Sequence, residues 1–185
     1  INQFGALAMA GCGSYSKIEG FGFIPVTCFS QALTTFIGQN LGAKEYDRAK
    51  KGALFGTICG IGIAEVIGIA VFFFSPYLIA AFGGDQKAIE YGIAEAHTIA
   101  LFYCLLAFSH CMAAIQRGAG RSIVPMFVMM IVWCGVRVTY ISIVIRIIPV
   151  INVIYWAYPL TWFISSVIFL ILFLKTDWIH GLEKQ

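Results

Sequence analysis

The chain alternates between long apolar stretches and short polar turns. Each apolar stretch holds roughly 20 residues, and at about 1.5 Å of rise per residue a helix of that length crosses a hydrocarbon core of about 30 Å. The pattern therefore predicts an all-α, polytopic transmembrane helix bundle. Its five predicted spans lie at about residues 20–42, 52–74, 95–116, 123–145 and 150–174.

Local signals mark where several of these helices begin and end. Alanine and leucine favour an extension of the first helix back towards Ala6. Ser75-Pro76 predicts the end of the second helix, because proline lacks a backbone donor. Asp85 is well placed to cap a helix that continues into the third span. Pro125 falls in the first turn of the fourth span, where its missing N–H is not needed.

The composition excludes a soluble domain. Hydrophobic residues make up 60% of the 185 residues and charged residues only 11%, whereas about a quarter of the residues of a soluble domain are charged. The net charge of +3 is too small to indicate a nucleic-acid partner. The six cysteines show neither metal-site nor disulfide spacing, so no metal and no cofactor is expected. The sequence begins at Ile1 rather than methionine, and we expect it to be part of a longer polypeptide.

The basic residues between the spans predict the orientation. Positively charged loops stay in the cytoplasm, so the side with more lysine and arginine is expected to face inward. This predicts a multi-pass protein of the plasma or inner membrane, in which the lipid bilayer is the main partner, the N-terminus lies outside and the C-terminus is cytoplasmic. The inner group comprises Lys44, Arg48, Lys50, Lys51, Arg117, Arg121, Lys175 and Lys184, and the outer group Lys17, Lys87 and Arg146.

Two ionisable residues fall inside the predicted spans and are candidates for coupling or gating. Glu65 lies in the second span and Arg137 in the fourth. Both spans run in the same direction, and both residues lie at a similar depth, so a Glu65–Arg137 pair is expected. Charges at membrane depth are costly and often functional. The alternatives are a purely structural ion pair or an arginine that snorkels to the surface.

A second set of residues predicts the wall of a substrate cavity. Thr27, Gln31 and Thr34 form a polar stripe on the first span, which is expected to face other helices or water rather than lipid. The stripe indicates either helix–helix contacts or a cavity wall. His110 is either a hydrogen-bonded interior residue or a substrate-facing one. The aromatic and apolar side of the cavity is assigned to Tyr103, Phe108 and Met112, together with His110.

No enzyme motif is present, and no catalytic residue is predicted. The sequence has no histidine or carboxylate cluster, no Gly-x-Ser-x-Gly and no phosphate-binding loop. A transporter and a non-transporting membrane scaffold or receptor-like bundle therefore remain as the classes to distinguish.

Two short basic turns resemble motifs of the multidrug and toxic compound extrusion (MATE) family. They are Gly38-Gln39-Asn40-Leu41-Gly42-Ala43 and Gln116-Arg117-Gly118-Ala119-Gly120, the latter followed by Pro125. On this resemblance, residues 1–185 are a partial C-terminal transmembrane lobe, about helices 8–12 of twelve. The turn residues that carry it are interpreted as structural: Gly38, Gln39, Asn40, Gly42, Arg117, Gly118 and Gly120.

The resemblance implies a secondary-active antiporter with two six-helix lobes around a central cavity. Such a protein would export organic cations or amphipathic drugs by alternating access, driven by Na⁺ or H⁺, and would need the N-terminal lobe of the same polypeptide as a partner. Some family members carry an acidic residue within helix ten, but Leu106 stands at that position here. The hypothesis is that the ion site lies mainly in the N-terminal lobe. A lipid-linked oligosaccharide flippase of the same superfamily is the alternative.

Overall fold

The computed structural model describes residues 1–179, except for the side chain of Asn2, and holds five helical stretches that are long and apolar enough to cross a membrane. This confirms the all-α fold. A 3₁₀ turn, Asn2–Phe4, comes first. The helices that follow are α1 (Ala6–Gly42), α2 (Tyr46–Ala81), α3 (Gln86–Ile99), α4 (Tyr103–Gly118), α5 (Ile123–Met129), α6 (Arg137–Ile147) and α7 (Asn152–Lys175).

Two of the five spans contain irregular helical segments that the sequence did not predict. A 3₁₀ turn, Ala100–Phe102, joins α3 to α4, so the third span runs from Gln86 to Gly118. A π-helical segment, Met130–Val136, joins α5 to α6 within the fourth span. Pro125 lies in the first turn of α5, as predicted. Both irregular segments border polar side chains described below.

Helix α2 does not end at Ser75-Pro76, so that prediction is wrong. Pro76 removes the N–H that would bond to the carbonyl of Phe72, four residues earlier. The Ser75 hydroxyl donates to the Phe72 carbonyl at 3.2 Å, and Nε2 of His97 lies 3.1 Å from the same oxygen. Because these two side chains satisfy the carbonyl, the helix continues through the proline to Ala81.

The third span forms the centre of the bundle. Helix α1 packs against α2, α3 and α4, and α4 also packs against α7. In the most apolar stretch of the third span 61% of the residues are buried, against 6% in the fourth span. The predicted cap of the third span is confirmed, since the Asp85 side chain accepts a hydrogen bond from the Lys87 N–H at 2.9 Å. The fourth span is therefore peripheral within the described chain.

Glycines bring the helices close together. A Cβ atom added to Gly11 of α1 would lie 2.1 Å from the carbonyl oxygen of Ala88 in α3. A Cβ added to Gly68 of α2 would lie 2.3 Å from the carbonyl oxygen of Ala100 in the 3₁₀ turn. Small residues at such crossings are typical of membrane helices, which gain stability from close packing rather than from the exclusion of water.

The two basic turns share one backbone geometry, in which a left-handed residue closes the helix. After α1, the Glu45 N–H donates to the Asn40 carbonyl at 2.8 Å and the Lys44 N–H to the Leu41 carbonyl at 3.0 Å, with a φ of 59° at Lys44. These are the two bonds of a Schellman cap.

The turn after α4 repeats this cap. The Arg121 N–H donates to the Gln116 carbonyl at 2.9 Å and the Gly120 N–H to the Arg117 carbonyl at 3.0 Å, with a φ of 79° at Gly120. Glycine adopts this conformation without steric cost. The Arg121 guanidinium also donates to the carbonyl of Asp177 at 2.9 Å, which joins this turn to the segment after α7.

The turns after α1 and α4 and the end of α7 lie at the same end of the bundle, which we call the basic end. A Cβ added to Gly38, near the first turn, would lie 3.4 Å from the carbonyl oxygen of Gly118, near the second. Lys184, which the sequence analysis assigned to this side, lies outside the described residues. The basic end is defined by Lys44, Arg48, Lys50, Lys51, Arg117, Arg121 and Lys175.

Candidate functional site

A polar pocket of about 310 Å³ opens between α1, the third span, the fourth span and α7. It combines an acidic residue, a basic residue and several aromatic rings in the interior of a membrane helix bundle. Such a mixture is unusual at this depth, because ionisable groups are costly there. The pocket is lined by Ser16, Glu19, Gly20, Phe23, Leu106, Trp133, Arg137, Tyr158 and Trp162.

Helical periodicity places these side chains together. On α1 the lining positions follow the spacing i, i+3, i+4 and i+7, which is one face of a helix. Trp133 and Arg137 are four residues apart on the fourth span, and Tyr158 and Trp162 are four residues apart on α7. Helix α1, the fourth span and α7 thus each present one stripe to the pocket, and the third span adds Leu106.

Arg137 is held by hydrogen bonds and by aromatic rings. Its Nη2 donates to the Thr161 hydroxyl at 2.7 Å, and its Nε donates to the same oxygen at 3.3 Å. The guanidinium carbon lies 4.2 Å from the ring centre of Tyr158 and 5.8 Å from that of Trp133, both within the range of cation–π attraction. Arg137 follows the π-helical segment directly, and such segments often occur at functional sites.

Serine hydroxyls fix the tryptophan side of the pocket. Nε1 of Trp133 donates to the Ser165 hydroxyl at 3.3 Å. The Ser109 hydroxyl of α4 lies 2.9 Å from that of Ser165 and 3.0 Å from that of Ser166, both in α7. These bonds join three spans, and they fix the orientation of the Trp133 indole ring through hydroxyl groups on α7 and α4.

The Glu19 carboxylate and the Arg137 guanidinium attract each other across the pocket. A cation that entered would find the carboxylate of Glu19 and the faces of aromatic rings, and it would compete with Arg137 for the same negative charge. This arrangement can couple the occupancy of the pocket to the position of the fourth span, because Arg137 lies on that span.

The expected Glu65–Arg137 pair is not formed within the described part of the chain. Arg137 interacts with Thr161 and Glu19, as described above, and Glu65 has a different partner. Its Oε2 accepts a hydrogen bond from the backbone N–H of Cys104 at 3.1 Å. The 3₁₀ turn before Cys104 interrupts the regular helix, and Glu65 satisfies the donor next to the interruption. The two side chains therefore lie in different helix contacts.

Substitution of Glu65 tests this structural interpretation. We expect Glu65→Gln to leave thermal stability almost unchanged, because the amide oxygen can still accept from Cys104. Glu65→Ala leaves a part-buried N–H without an acceptor and should lower the free energy of unfolding by about 1–2 kcal/mol. Thermal unfolding of the full-length protein in detergent measures both, with Glu90→Ala at an exposed position as the control. Equal losses for the two Glu65 variants would show that the charge itself is needed.

The polar stripe of the first span is divided between helix contacts and exposed positions. The Thr34 hydroxyl lies 3.3 Å from the Ala114 carbonyl of α4, so this residue contributes to the helix contact. The Thr27 hydroxyl donates to the Ile24 carbonyl of its own helix at 2.8 Å, and the Gln31 side chain is exposed. Ser30 accepts a hydrogen bond from Arg117 at 3.3 Å. Within the stripe, Thr34 thus joins α1 to α4, while Thr27 bonds to its own helix and Gln31 is exposed.

The cavity candidates of the third span do not line the polar pocket. Tyr103 is buried, and its hydroxyl lies 3.2 Å from that of Tyr15. His110 packs edge-on against Phe23 and Trp133, whose rings line the pocket, and its Nε2 has no hydrogen-bond partner among the described residues. Phe108 and Met112 line a separate apolar groove near the basic end.

The sequence analysis missed two buried or half-buried acidic residues, Glu19 and Glu95. Glu95 is only 3% exposed, and its Oε2 has no hydrogen-bond partner in residues 1–179, while the thiol of Cys12 interacts with the same carboxylate. The Tyr155 hydroxyl lies 3.7 Å from the Cys12 sulfur and donates to the Tyr91 carbonyl at 3.2 Å. The signal for Glu19 was its spacing with Ser16 and Phe23 on one helix face.

The sequence model of the MatE family matches residues 1–143 of this chain. The chain belongs to the MatE family. Proteins of this family are transporters and not enzymes, and together with the five apolar helices the match makes the chain a multi-pass membrane protein.

Curated relatives carry names from multidrug resistance. The chain is 30% identical over 130 residues to the probable multidrug resistance protein NorM of Thermotoga maritima. The matched region covers 70% of this chain and 28% of that protein. It is 24% identical over 142 residues to the probable multidrug resistance protein YoeA of Bacillus subtilis. That matched region covers 75% of this chain and 30% of the relative. The chain thus spans about 30% of the length of these relatives.

Solved MATE structures share the fold. The MATE transporter ClbM in complex with Rb⁺ superposes with a TM-score of 0.85 at 17% identity, over 95% of this chain and 42% of that one. The crystal structure of a MATE point mutant gives a TM-score of 0.85 at 20% identity, over 96% of this chain and 40% of that one. At these identities the likeness concerns the fold alone.

Proposed function

We propose that the chain is part of a secondary-active efflux antiporter that exports organic cations or amphipathic drugs in exchange for Na⁺ or H⁺ by alternating access. The observation that carries the proposal is the polar pocket, in which Glu19 and aromatic rings meet at membrane depth. A carboxylate and aromatic faces are the groups that attract a flat organic cation. The names of the relatives favour the same substrate class.

On this proposal the described helices are one lobe, and an N-terminal lobe of the same polypeptide supplies the second wall of the transport cavity. The main ion site is placed in that lobe, because Leu106 occupies the position of the acidic residue found in some members of the family. The basic end is assigned to the cytoplasm, since lysine and arginine concentrate there. Because the main ion site is assigned to the N-terminal lobe, Glu65→Gln should reduce coupled efflux without abolishing it.

Transport by the full-length protein tests the proposal. Purified protein in sealed vesicles should expel a fluorescent organic cation when a Na⁺ gradient or a pH gradient is imposed, and the gradient that stimulates efflux identifies the coupling ion. Glu19→Gln should slow efflux about tenfold or more, because the loss of a charged partner is worth about 1.5–3 kcal/mol. Glu90→Gln, at an exposed position outside the pocket, is the matched control.

Two results would contradict the proposal. Folded protein that expels no cation under either gradient would argue against an antiporter of this class. Wild-type rates for Glu19→Gln would show that the pocket is not part of the substrate path. A lipid-linked oligosaccharide flippase is less favoured, because a pyrophosphate needs several cationic groups and Arg137 is the one basic residue among the described residues that line the polar pocket.

A further inference from the structure

An apolar groove of about 510 Å³ lies near the basic end, apart from the polar pocket. Helix α4 packs against both α2 and α7 and forms the floor of the groove through Phe108 and Met112. The α2 wall presents Lys50, Leu54 and Thr57, which share one face of that helix. The volume falls within the roughly 300–1,000 Å³ of ordinary ligand sites.

The lining of the groove favours an apolar occupant. The hydroxyl of Thr57 donates to the Ala53 carbonyl of its own helix at 2.7 Å, so it needs no partner from a ligand. Trp178 stacks on Phe173, with ring centres 5.5 Å apart and planes 26° apart, and closes the groove beyond the end of α7. Among the described lining residues, Lys50 is the one that carries a charge.

The charge lies at one end of the groove and the apolar surface extends away from it. Lys50 is one turn inside α2, which begins at Tyr46, and Thr57 is seven residues further along. That separation is about 10 Å along the helix axis. The groove therefore runs from the basic end towards the middle of a hydrocarbon core about 30 Å thick, over about two thirds of the depth of one leaflet.

We propose that this groove binds an anionic phospholipid, with an acyl chain along the apolar walls and the phosphate of the headgroup beside Lys50. The exposed lysine lies where a headgroup would be, and a lysine can extend its stem along apolar surface to reach it. The positive charge of Lys50 would repel an organic cation. The other basic residues of this end, which outnumber Glu45, Asp47 and Asp177, add to the attraction for anionic lipid.

Quenching by brominated lipids tests the proposal in the full-length protein. The protein is reconstituted in phosphatidylcholine vesicles with increasing fractions of acyl-brominated phosphatidylglycerol or acyl-brominated phosphatidylcholine. The signal of Trp178 is taken as the difference between the wild type and Trp178→Phe, which keeps an aromatic ring on Phe173. We expect half-maximal quenching at an about fivefold lower fraction of the anionic lipid, the effect of one lysine near the surface.

Two lysine variants separate headgroup recognition from general charge. Lys50→Gln should remove most of the preference for the anionic lipid, while Lys51→Gln should keep most of it, because Lys51 is equally charged and adjacent but does not line the groove. Equal quenching by both lipids, or equal effects of the two variants, would overturn the proposal. Absence of quenching by either lipid would also overturn it, since another part of the protein would then cover the groove. None of these outcomes depends on transport activity.

Discussion

Replacing Gly11 with alanine is expected to lower the free energy of unfolding by about 3 kcal/mol, at the upper end of the usual cost of overpacking. The new methyl group would meet the Ala88 carbonyl oxygen at 2.1 Å and the Gly92 nitrogen at 3.0 Å. Both are backbone atoms, so no side chain can rotate away and α1 must separate from α3. Thermal unfolding of the full-length protein in detergent should show the loss directly.

Gly13 provides the matched control for this prediction. It lies two residues along the same helix, and a Cβ added there would meet nothing within 4 Å among the described residues. Gly13→Ala should therefore keep the melting temperature or raise it slightly, because alanine favours helix over glycine. Equal melting temperatures for Gly11→Ala and Gly13→Ala would show that α1 and α3 do not approach each other closely in the membrane protein.

The second large effect on stability is expected when one of the two opposite charges of the polar pocket is removed. Arg137→Gln removes the cation that attracts the Glu19 carboxylate and both hydrogen bonds to Thr161. It should lower the free energy of unfolding by about 3 kcal/mol, because a hydrogen bond from a charged group contributes about 1.5–3 kcal/mol. Glu19→Gln removes the opposite charge of the same pocket. In the double variant neither charge remains, so the combined loss should be smaller than the sum of the two single losses.

This double-mutant cycle needs a control that changes charge on the same helix. Arg146→Gln serves this purpose, because Arg146 is exposed near the end of α6 and does not line the pocket. Its effect should be small and should add to that of Glu19→Gln. Full additivity of Glu19→Gln and Arg137→Gln would show that the two groups do not interact, and the proposed link between pocket occupancy and the fourth span would then be lost.

The number and type of helices followed from the sequence because twenty-residue apolar runs have few alternatives in a bilayer. Irregular segments did not follow in the same way. Pro76 was expected to end α2, but the carbonyl it frees is satisfied partly by His97, which is distant in sequence and reaches it only through the packing of α3 on α2. The cap at Asp85 was predictable because its partner is two residues away.

The composition of the pocket was only partly predictable. Arg137 was recognised because it lies inside a predicted span, whereas Glu19 lies one residue before the predicted start of the first span and was not considered as a site residue. Helix α1 begins at Ala6, as the predicted helical extension indicated, and this places Glu19 well inside the helix. The choice between Glu65 and Glu19 as the partner of Arg137 depends on the rotation of three helices about their axes, which hydropathy alone does not specify.

The π-helical segment of the fourth span has a consequence for how the pocket can change shape. Kinks in helices concentrate at such segments, because the regular ladder of hydrogen bonds is interrupted there. Arg137 follows the segment directly, so a bend within Met130–Val136 would shift its guanidinium relative to Glu19 on α1. A small bend of one span would thus change the electrostatic potential inside the pocket.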